Sequence, residues 1–228
     1  MARDFNNVLS VVHGYSTHLL ERMNSSDAAY TGLTEIRKAA EKGAALTHQL
    51  LTFSRKEKIQ LDLLDLNPIV TEDEPMLRRL LGQNIELITD VKPSLGLVRS
   101  NAGYMHQVLL NLALNARDAM PNGGKLIISL SNVEIDESRA VRLAEVAPGS
   151  YVRLSVADNG IGMSADVQEH LFEPFFTTKE AQQGTGLGLS TVYGIVRQCA
   201  GYIVVETQPN KGTTFETFFS RKSSRSAT

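Results

Sequence analysis

The sequence predicts an α-helical hairpin followed by an α/β two-layer sandwich. Two observations predict it. The first 56 residues carry apolar side chains at three- and four-residue steps, interrupted once by Asn24-Ser-Ser-Asp27. From Asn67 onward, short alternating runs are mixed with longer helical ones, the pattern of helices laid on one face of a mixed sheet.

Residues 4–23 read as an amphipathic helix, with Phe5, Val8, Leu9, Val12, Tyr15, Leu19 and Met23 on one face. A second helix runs from about Ala28 to Lys56, where Leu33, Ile36, Ala40, Gly43, Thr47 and Leu50 follow a rough heptad. Two helices alone bury little surface. The hairpin is therefore expected to dimerise into a four-helix bundle, or else to pack onto its own chain. Residues 58–65 read as a charged, leucine-bearing linker. Asn67 is then expected to cap a helix reaching Leu81, with Pro68 at its first position. Ile85 to Val91 alternates like a strand, and Gly103 to Met120 reads as a long helix stopped by Pro121-Asn-Gly-Gly124. Lys125 to Val133 and Tyr151 to Ala157 are predicted strands. Ser190 to Ala200 is a helix closed by Gly201, and Tyr202 to Thr207 with Thr213 to Phe219 form a last hairpin. The expected division is a hairpin over 1–57, a linker over 58–65, a second domain over 66–220 and a solvated tail over 221–228.

Composition narrows the function classes. The net charge of −2 gives no reason to expect a nucleic-acid or membrane surface. The single cysteine, Cys199, excludes an intramolecular disulfide and fits a reducing compartment. No apolar run approaches the roughly 18 residues of a membrane span, and no signal peptide is visible. A cytoplasmic fragment is expected, its parent free to be membrane-anchored. Met1 stands directly before a helical pattern, so the chain is expected to begin inside a longer protein.

Four blocks carry chemistry. Asn111 and Asn115 lie four apart on the long helix, so both project from one face, with Asp118 a turn beyond. Amide oxygens suit Mg²⁺, although such a pair also fits a polar rim. Asp158-Asn-Gly-Ile-Gly162 follows a buried strand. Its carboxylate can accept from an exocyclic amine such as that of adenine, and Gly160 and Gly162 let the backbone come close; alone it is also an ordinary turn. Leu171-Phe-Glu-Pro-Phe-Phe-Thr-Thr-Lys179 offers either plain core or the base of a lid, with Lys179 available to phosphate. Gly184-Thr-Gly-Leu-Gly-Leu-Ser190 runs into a helix, where free backbone N–H groups favour a triphosphate. It lacks the preceding strand of a dinucleotide fingerprint and the Lys of a Walker loop.

In this order, over about 80 residues, the blocks resemble the N, G1, F and G2 boxes of the histidine-kinase ATPase domain. That domain shares its superfamily with DNA gyrase and the mismatch-repair ATPases. The likeness covers residues 66–220, including Gly212-Thr-Thr-Phe215, and Asn115-Ala-Arg-Asp-Ala-Met-Pro121 resembles the nitrogen-regulator and hybrid-kinase branch. The resemblance implies ATP and Mg²⁺ as cofactors. It places Asn115 and Asn111 at the metal and Asp158, with Gly160 and Gly162, at adenine. It places Gly184, Thr185, Gly186, Leu187, Gly188 and Lys179 at the phosphates, with Asp118 and Thr213 beside the nucleotide.

The hairpin is similar to the dimerisation and phosphotransfer domain of the same branch, through Asp4-Phe-Asn-Asn7 and Gly14-Tyr-Ser16. Family members carry His immediately before that Asp, where this chain has Arg3. A guanidinium stays protonated and offers no nucleophilic lone pair, whereas imidazole does. The resemblance makes Asp4 the neighbouring acid or base, and Asn7 the residue that positions water in phosphatase-competent relatives. The second helix reads Leu46-Thr-His-Gln-Leu-Leu51, where the branch usually has Arg in place of His48. A turn centred near residues 25–26 sets position 3 opposite position 48, so His and Arg look exchanged across the hairpin; a plain surface histidine is the alternative.

His106 lies a turn before Asn111, where the family often has an acid, and His13, His18 and His170 sit within amphipathic segments. The leading expectation is the core of a two-component sensor histidine kinase, impaired in conventional autophosphorylation by Arg3. It is expected to be a homodimer and to partner a response-regulator receiver domain, separate or fused downstream. The alternatives are a non-phosphorylating ATP-binding regulator, a response-regulator phosphatase or scaffold, and a kinase whose acceptor has moved to His48.

Overall fold

The computed structural model describes residues 11, 12, 14–20, 23, 24, 27, 29–37, 61–143, 146–179 and 185–222. The chain divides into two units, Met1–Glu57 and Lys58–Thr228.

In the first unit, residues 11, 12, 14–20 and 29–37 are helical. Local polar chemistry closes the turn between them. The Asp27 carboxylate accepts from the Asn24 N–H at 3.1 Å, and the Tyr30 N–H donates to the Asp27 carbonyl at 3.0 Å. Leu20 and Ser16 are buried, the Ser16 hydroxyl donating to the Val12 carbonyl at 2.8 Å. Val12, Tyr15, Leu19 and Ile36, four of the six stripe residues among the described ones, are exposed. Arg3, Asp4, Asn7, Val8, His13, His48 and Leu50 lie outside the described residues.

The second unit is the predicted sandwich. Its elements are β1 (Asp62–Leu64), α1 (Leu66–Leu81), β2 (Ile85–Val91), β3 (Leu97–Ser100), α2 (Ala102–Ala119), β4 (Gly124–Ile135), α3 (Glu137–Leu143), β5 (Gly149–Asp158), α4 (Ala165–Glu169), α5 (Gly188–Gln198), β6 (Tyr202–Gln208) and β7 (Gly212–Lys222). The strand order is β1-β3-β7-β5-β4-β2, with β6 also on β7. β2 and β4 run parallel; the remaining pairs are antiparallel. The sheet is therefore mixed, as expected.

Period-two alternation sorts each strand into two faces. Leu126, Ile128 and Leu130 of β4, Val152, Leu154 and Val156 of β5, and Phe215 and Phe219 of β7 form one core with α1, α2 and α5. Their neighbours in sequence, Tyr151 and Phe218, point the other way and build a smaller cluster with Ile135 and Val146, partly covered by Ala140 and Leu143 of α3. Truncating a fully buried member such as Leu154 costs about 2–5 kcal/mol.

Sequence patterns locate the long elements and miss the short ones. β1, β3, α3 and α4 are three to seven residues long, too short to show a period. β1 falls within the stretch read as a linker, and β7 continues to Lys222. The cap of α1 is also corrected. Asp65, not Asn67, caps the helix, accepting from the Asn67 N–H at 2.9 Å, while the Asn67 amide donates to the Lys92 carbonyl at 2.8 Å. α5 opens two residues earlier than predicted, at Gly188, which brings the last glycine of the 184–188 run into its first turn.

Candidate functional site

α2 carries two kinds of residue. Met105, Val108, Leu109, Leu112, Ala113 and Ala116 are buried in the core. Asn111 and Asn115 sit on the flank, half-buried, and the Nδ2 atom of each is enclosed without a hydrogen-bond partner. A side chain placed on Gly188 would meet the Asn115 Nδ2 at 3.6 Å and the Asn111 Oδ1 at 3.8 Å. The predicted amide pair and the end of the glycine run therefore come together, although 73 residues separate Asn115 from Gly188. The first-turn N–H groups of α5 have no helical partners, which adds donors beside two amides with unused capacity.

The end of β5 supplies the acid. Asp158 pairs across the sheet with Thr213, and its Oδ1 accepts from the Gly160 N–H at 2.8 Å. Burial pushes the carboxyl above its ordinary value, against the opposing effect of the Gly160 and Thr213 backbone donors. Gly162 takes φ +63°, and a Cβ there would fall 2.0 Å from the Gln208 carbonyl oxygen, so the loop tolerates only glycine at that point. The Ile161 N–H donates to the Ala119 carbonyl at 3.0 Å, tying this loop to the end of α2.

Thr207 is a hub that sequence reading missed. Its hydroxyl donates to the Gly212 carbonyl at 3.0 Å and accepts from the Met163 N–H at 3.0 Å; its one proton spent, it then accepts from the Thr213 hydroxyl at 3.0 Å. Only the register of the β6–β7 hairpin, which sets Thr207 opposite Thr213, could have revealed it.

The segment between the glycine motifs is part core and part surface. Leu171 is buried, and the Phe172 ring lies 5.0 Å from that of Tyr193 on α5. Phe175 is 62% exposed at φ +69° and donates its N–H to the Gly186 carbonyl at 2.9 Å. Gly186 has φ +65°, and a Cβ there would strike the Phe175 backbone at 2.3 Å. Two left-handed residues thus meet, and glycine is required at one of them. Thr185 accepts from the Leu187 N–H at 3.4 Å, and the Thr191 hydroxyl donates to the Leu187 carbonyl at 2.6 Å. Gly184 and residues 180–183 lie outside the described residues.

Lys179 was expected to be available to phosphate. Its Nζ donates to the Asp118 Oδ2 at 2.5 Å, while the Arg117 Nε and Nη2 donate to the Asp118 Oδ1 at 3.0 and 2.8 Å. Burial raises the Asp118 carboxyl, but the two cations outweigh it and hold it below the ordinary carboxylate value. His106 also finds its place: its Nδ1 lies 2.8 Å from the Oδ1 of Asp73, a buried acid of α1, so it couples the two helices. His170 is exposed and pairs with Glu173 at 2.8 Å, which lifts the imidazole above its usual value; His18 is exposed.

Comparison with known proteins identifies this arrangement. Residues 101–223, more than half of the chain, match the family described as histidine kinase-, DNA gyrase B-, and HSP90-like ATPase. The sensor kinase CckA of Brucella abortus (strain 2308) is 41% identical over 221 residues, covering 97% of this chain and 23% of the relative. The sensory histidine kinase/phosphatase NtrB of Azospirillum brasilense is 33% identical over 218 residues, covering 92% and 52%. This chain thus spans about a quarter to a half of the length of those relatives. Among solved structures, full-length ShkA in complex with AMPPNP shares the fold at a TM-score of 0.73 and 23% identity, over 98% of this chain and 45% of that one. The chain belongs to the histidine kinase-, DNA gyrase B- and HSP90-like ATPase family, and within it to the catalytic cores of the sensor histidine kinases.

Proposed function

We propose that this chain binds ATP with Mg²⁺ and serves as the phosphotransfer core of a cytoplasmic two-component system. Residues 66–220 would hold the nucleotide, residues 1–57 would dimerise and carry the phosphotransfer chemistry, and 58–65 and 221–228 would connect. The observation that carries the reading is the meeting of Asn111, Asn115 and Gly188 beside the loop that leaves Asp158.

The donor set fits the ligands. Two enclosed amides with unpaired Nδ2 atoms are short of partners, and their oxygens are hard ligands of the kind Mg²⁺ accepts alongside phosphates and waters. Asp158 has backbone N–H groups and no cation as partners, which leaves its carboxylate acceptor capacity for the amine of adenine. Gly184, Thr185, Gly186 and Gly188 would present backbone N–H groups to the phosphates at the start of α5, with Leu187, whose N–H bonds the Thr185 hydroxyl, lining the same turn. Thr213 would support Asp158 from β7, held in turn by Thr207. The metal, when bound, supplies neutralisation of charge on the transferring phosphoryl group. The protein's share is positioning and the exclusion of water.

A homodimer is supported by Val12, Tyr15 and Ile36, which the chain itself leaves exposed. Among the described residues no helix is long and apolar enough to cross a membrane. The proposed partner is a response-regulator receiver domain, separate or fused downstream.

Arg3 favours a second reading of the same site. With no imidazole before Asp4, the chain would bind ATP and its regulator without conventional autophosphorylation. It would act as a scaffold or, through Asn7, as a phosphatase, unless His48 accepts the phosphoryl group. Incubation with γ-labelled ATP separates these outcomes. We expect little or no label on the unmodified chain and acid-labile, base-stable label on Arg3→His. Strong label on the unmodified chain, lost in His48→Ala, would show that the acceptor has moved to the second helix.

A further inference from the structure

We infer that Asp118 is a positioning residue that holds Lys179 in reserve and yields it to nucleotide phosphate, while Arg117 stays on the same carboxylate. The inference rests on the ATP-binding reading above.

Asp118 occupies the last turn of α2, where the helix dipole disfavours an acid, so it depends on cations. It has two, and they are divided between its oxygens. Arg117 grips the Oδ1 with two nitrogens, and Lys179 alone takes the Oδ2. The division matters because Lys179 can leave without stranding an unpaired carboxylate, which would be costly in a partly buried place. The two cations also differ in kind. The Arg117 guanidinium is a planar fork from the residue next to Asp118, whereas Lys179 is a compact charge on a flexible stem, reaching across 61 residues of chain. The backbone of Lys179 is tied locally, its N–H donating to the Thr177 hydroxyl at 3.2 Å, so the side chain is the part free to swing.

The distance to be covered is short. Asn115 precedes Asp118 by three residues on the same helix, a rise of about 4.5 Å. A triphosphate beside Asn111, Asn115 and Gly188 carries more charge than one carboxylate and would outcompete it for the ammonium. Asp118 therefore opposes nucleotide binding, and opposes it only through Lys179. Because the exchange depends on phosphate charge, it acts on ATP more than on ADP.

Equilibrium titration of ATP–Mg²⁺ and ADP–Mg²⁺ onto wild type, Asp118→Asn, Lys179→Met and the double variant tests this. Asp118→Asn is expected to tighten ATP binding about two- to fivefold, the equivalent of a surface ion pair, and ADP binding by less. Lys179→Met is expected to weaken ATP binding and to remove any effect of Asp118→Asn in the double variant. If Asp118→Asn weakens ATP binding, leaves it unchanged, or shifts it equally with and without Lys179, the exchange is wrong and Asp118 meets the ligand directly or not at all. Wild-type protein that binds no ATP would instead overturn the functional reading beneath it.

Discussion

Asp158 closes β5 and Asp118 the last turn of α2, and the two acids of the site live in opposite surroundings. Asp158 is half-buried with only backbone N–H groups as partners, and burial holds its carboxyl above the ordinary value. Asp118 is also raised by burial, but Lys179 and Arg117 outweigh that effect and hold it below. The difference separates two uses of a carboxylate. An acid kept at a strand end without a cation retains acceptor capacity for a ligand's N–H. An acid already held by two cations has little left to give a ligand and is suited to controlling one of those cations.

The comparison predicts opposite effects of one substitution, the larger at Asp158. Since the folded state raises the Asp158 carboxyl, folding takes up protons there, and stability falls as pH climbs from the unfolded value through the folded one. Ionised Asp158 is therefore a cost to the empty protein at neutral pH. Asp158→Asn is expected to raise the melting temperature of the nucleotide-free protein while weakening ATP binding by about tenfold or more, the worth of a charged hydrogen bond. A lower melting temperature would mean that the acid is structural rather than kept for a ligand.

Asp118 should behave in the reverse way and more weakly. Its folded-state value is lowered, so its contribution is present above the unfolded value and is lost as pH falls through the folded one. Asp118→Asn should lower stability at neutral pH by about 0.5–1 kcal/mol, a typical figure for an accessible ion pair. The gap between variant and wild type should close in acid. Melting curves from neutral pH down to the acid limb check this, and a gap independent of pH would show that charge is not what Asp118 contributes.

The two acids were also unequally legible in the sequence. Asp158 announces itself, because Gly160 and Gly162 follow it after a strand pattern that reads clearly. Asn111 and Asn115 are visible through their four-residue spacing. The pairing of Asp118 with Lys179 is not visible, since neither residue has a local reason to seek the other across 61 positions. Thr207 was hidden for the same reason: its role depends on the register of β6 against β7. The fold divides likewise. α2, β2 and β6 are long enough to display a period. β1 and β3 exist because β7 offers an edge that β3 joins and β1 extends, which a three- or four-residue run cannot signal alone. His106 shows that a residue without an evident role can be assigned by its partner, here the buried Asp73 on the neighbouring helix.

The most direct test of the account is titration of ATP onto wild type, Asn115→Ala and Asp158→Ala, with and without Mg²⁺, with circular dichroism as a control for folding. Wild type is expected to bind ATP more tightly with Mg²⁺ than without it. Asn115→Ala should lose that dependence together with most of its affinity, and Asp158→Ala should lose binding at any Mg²⁺ level, both with unchanged spectra. Unchanged affinity in both folded variants would contradict the assignment of this site to ATP.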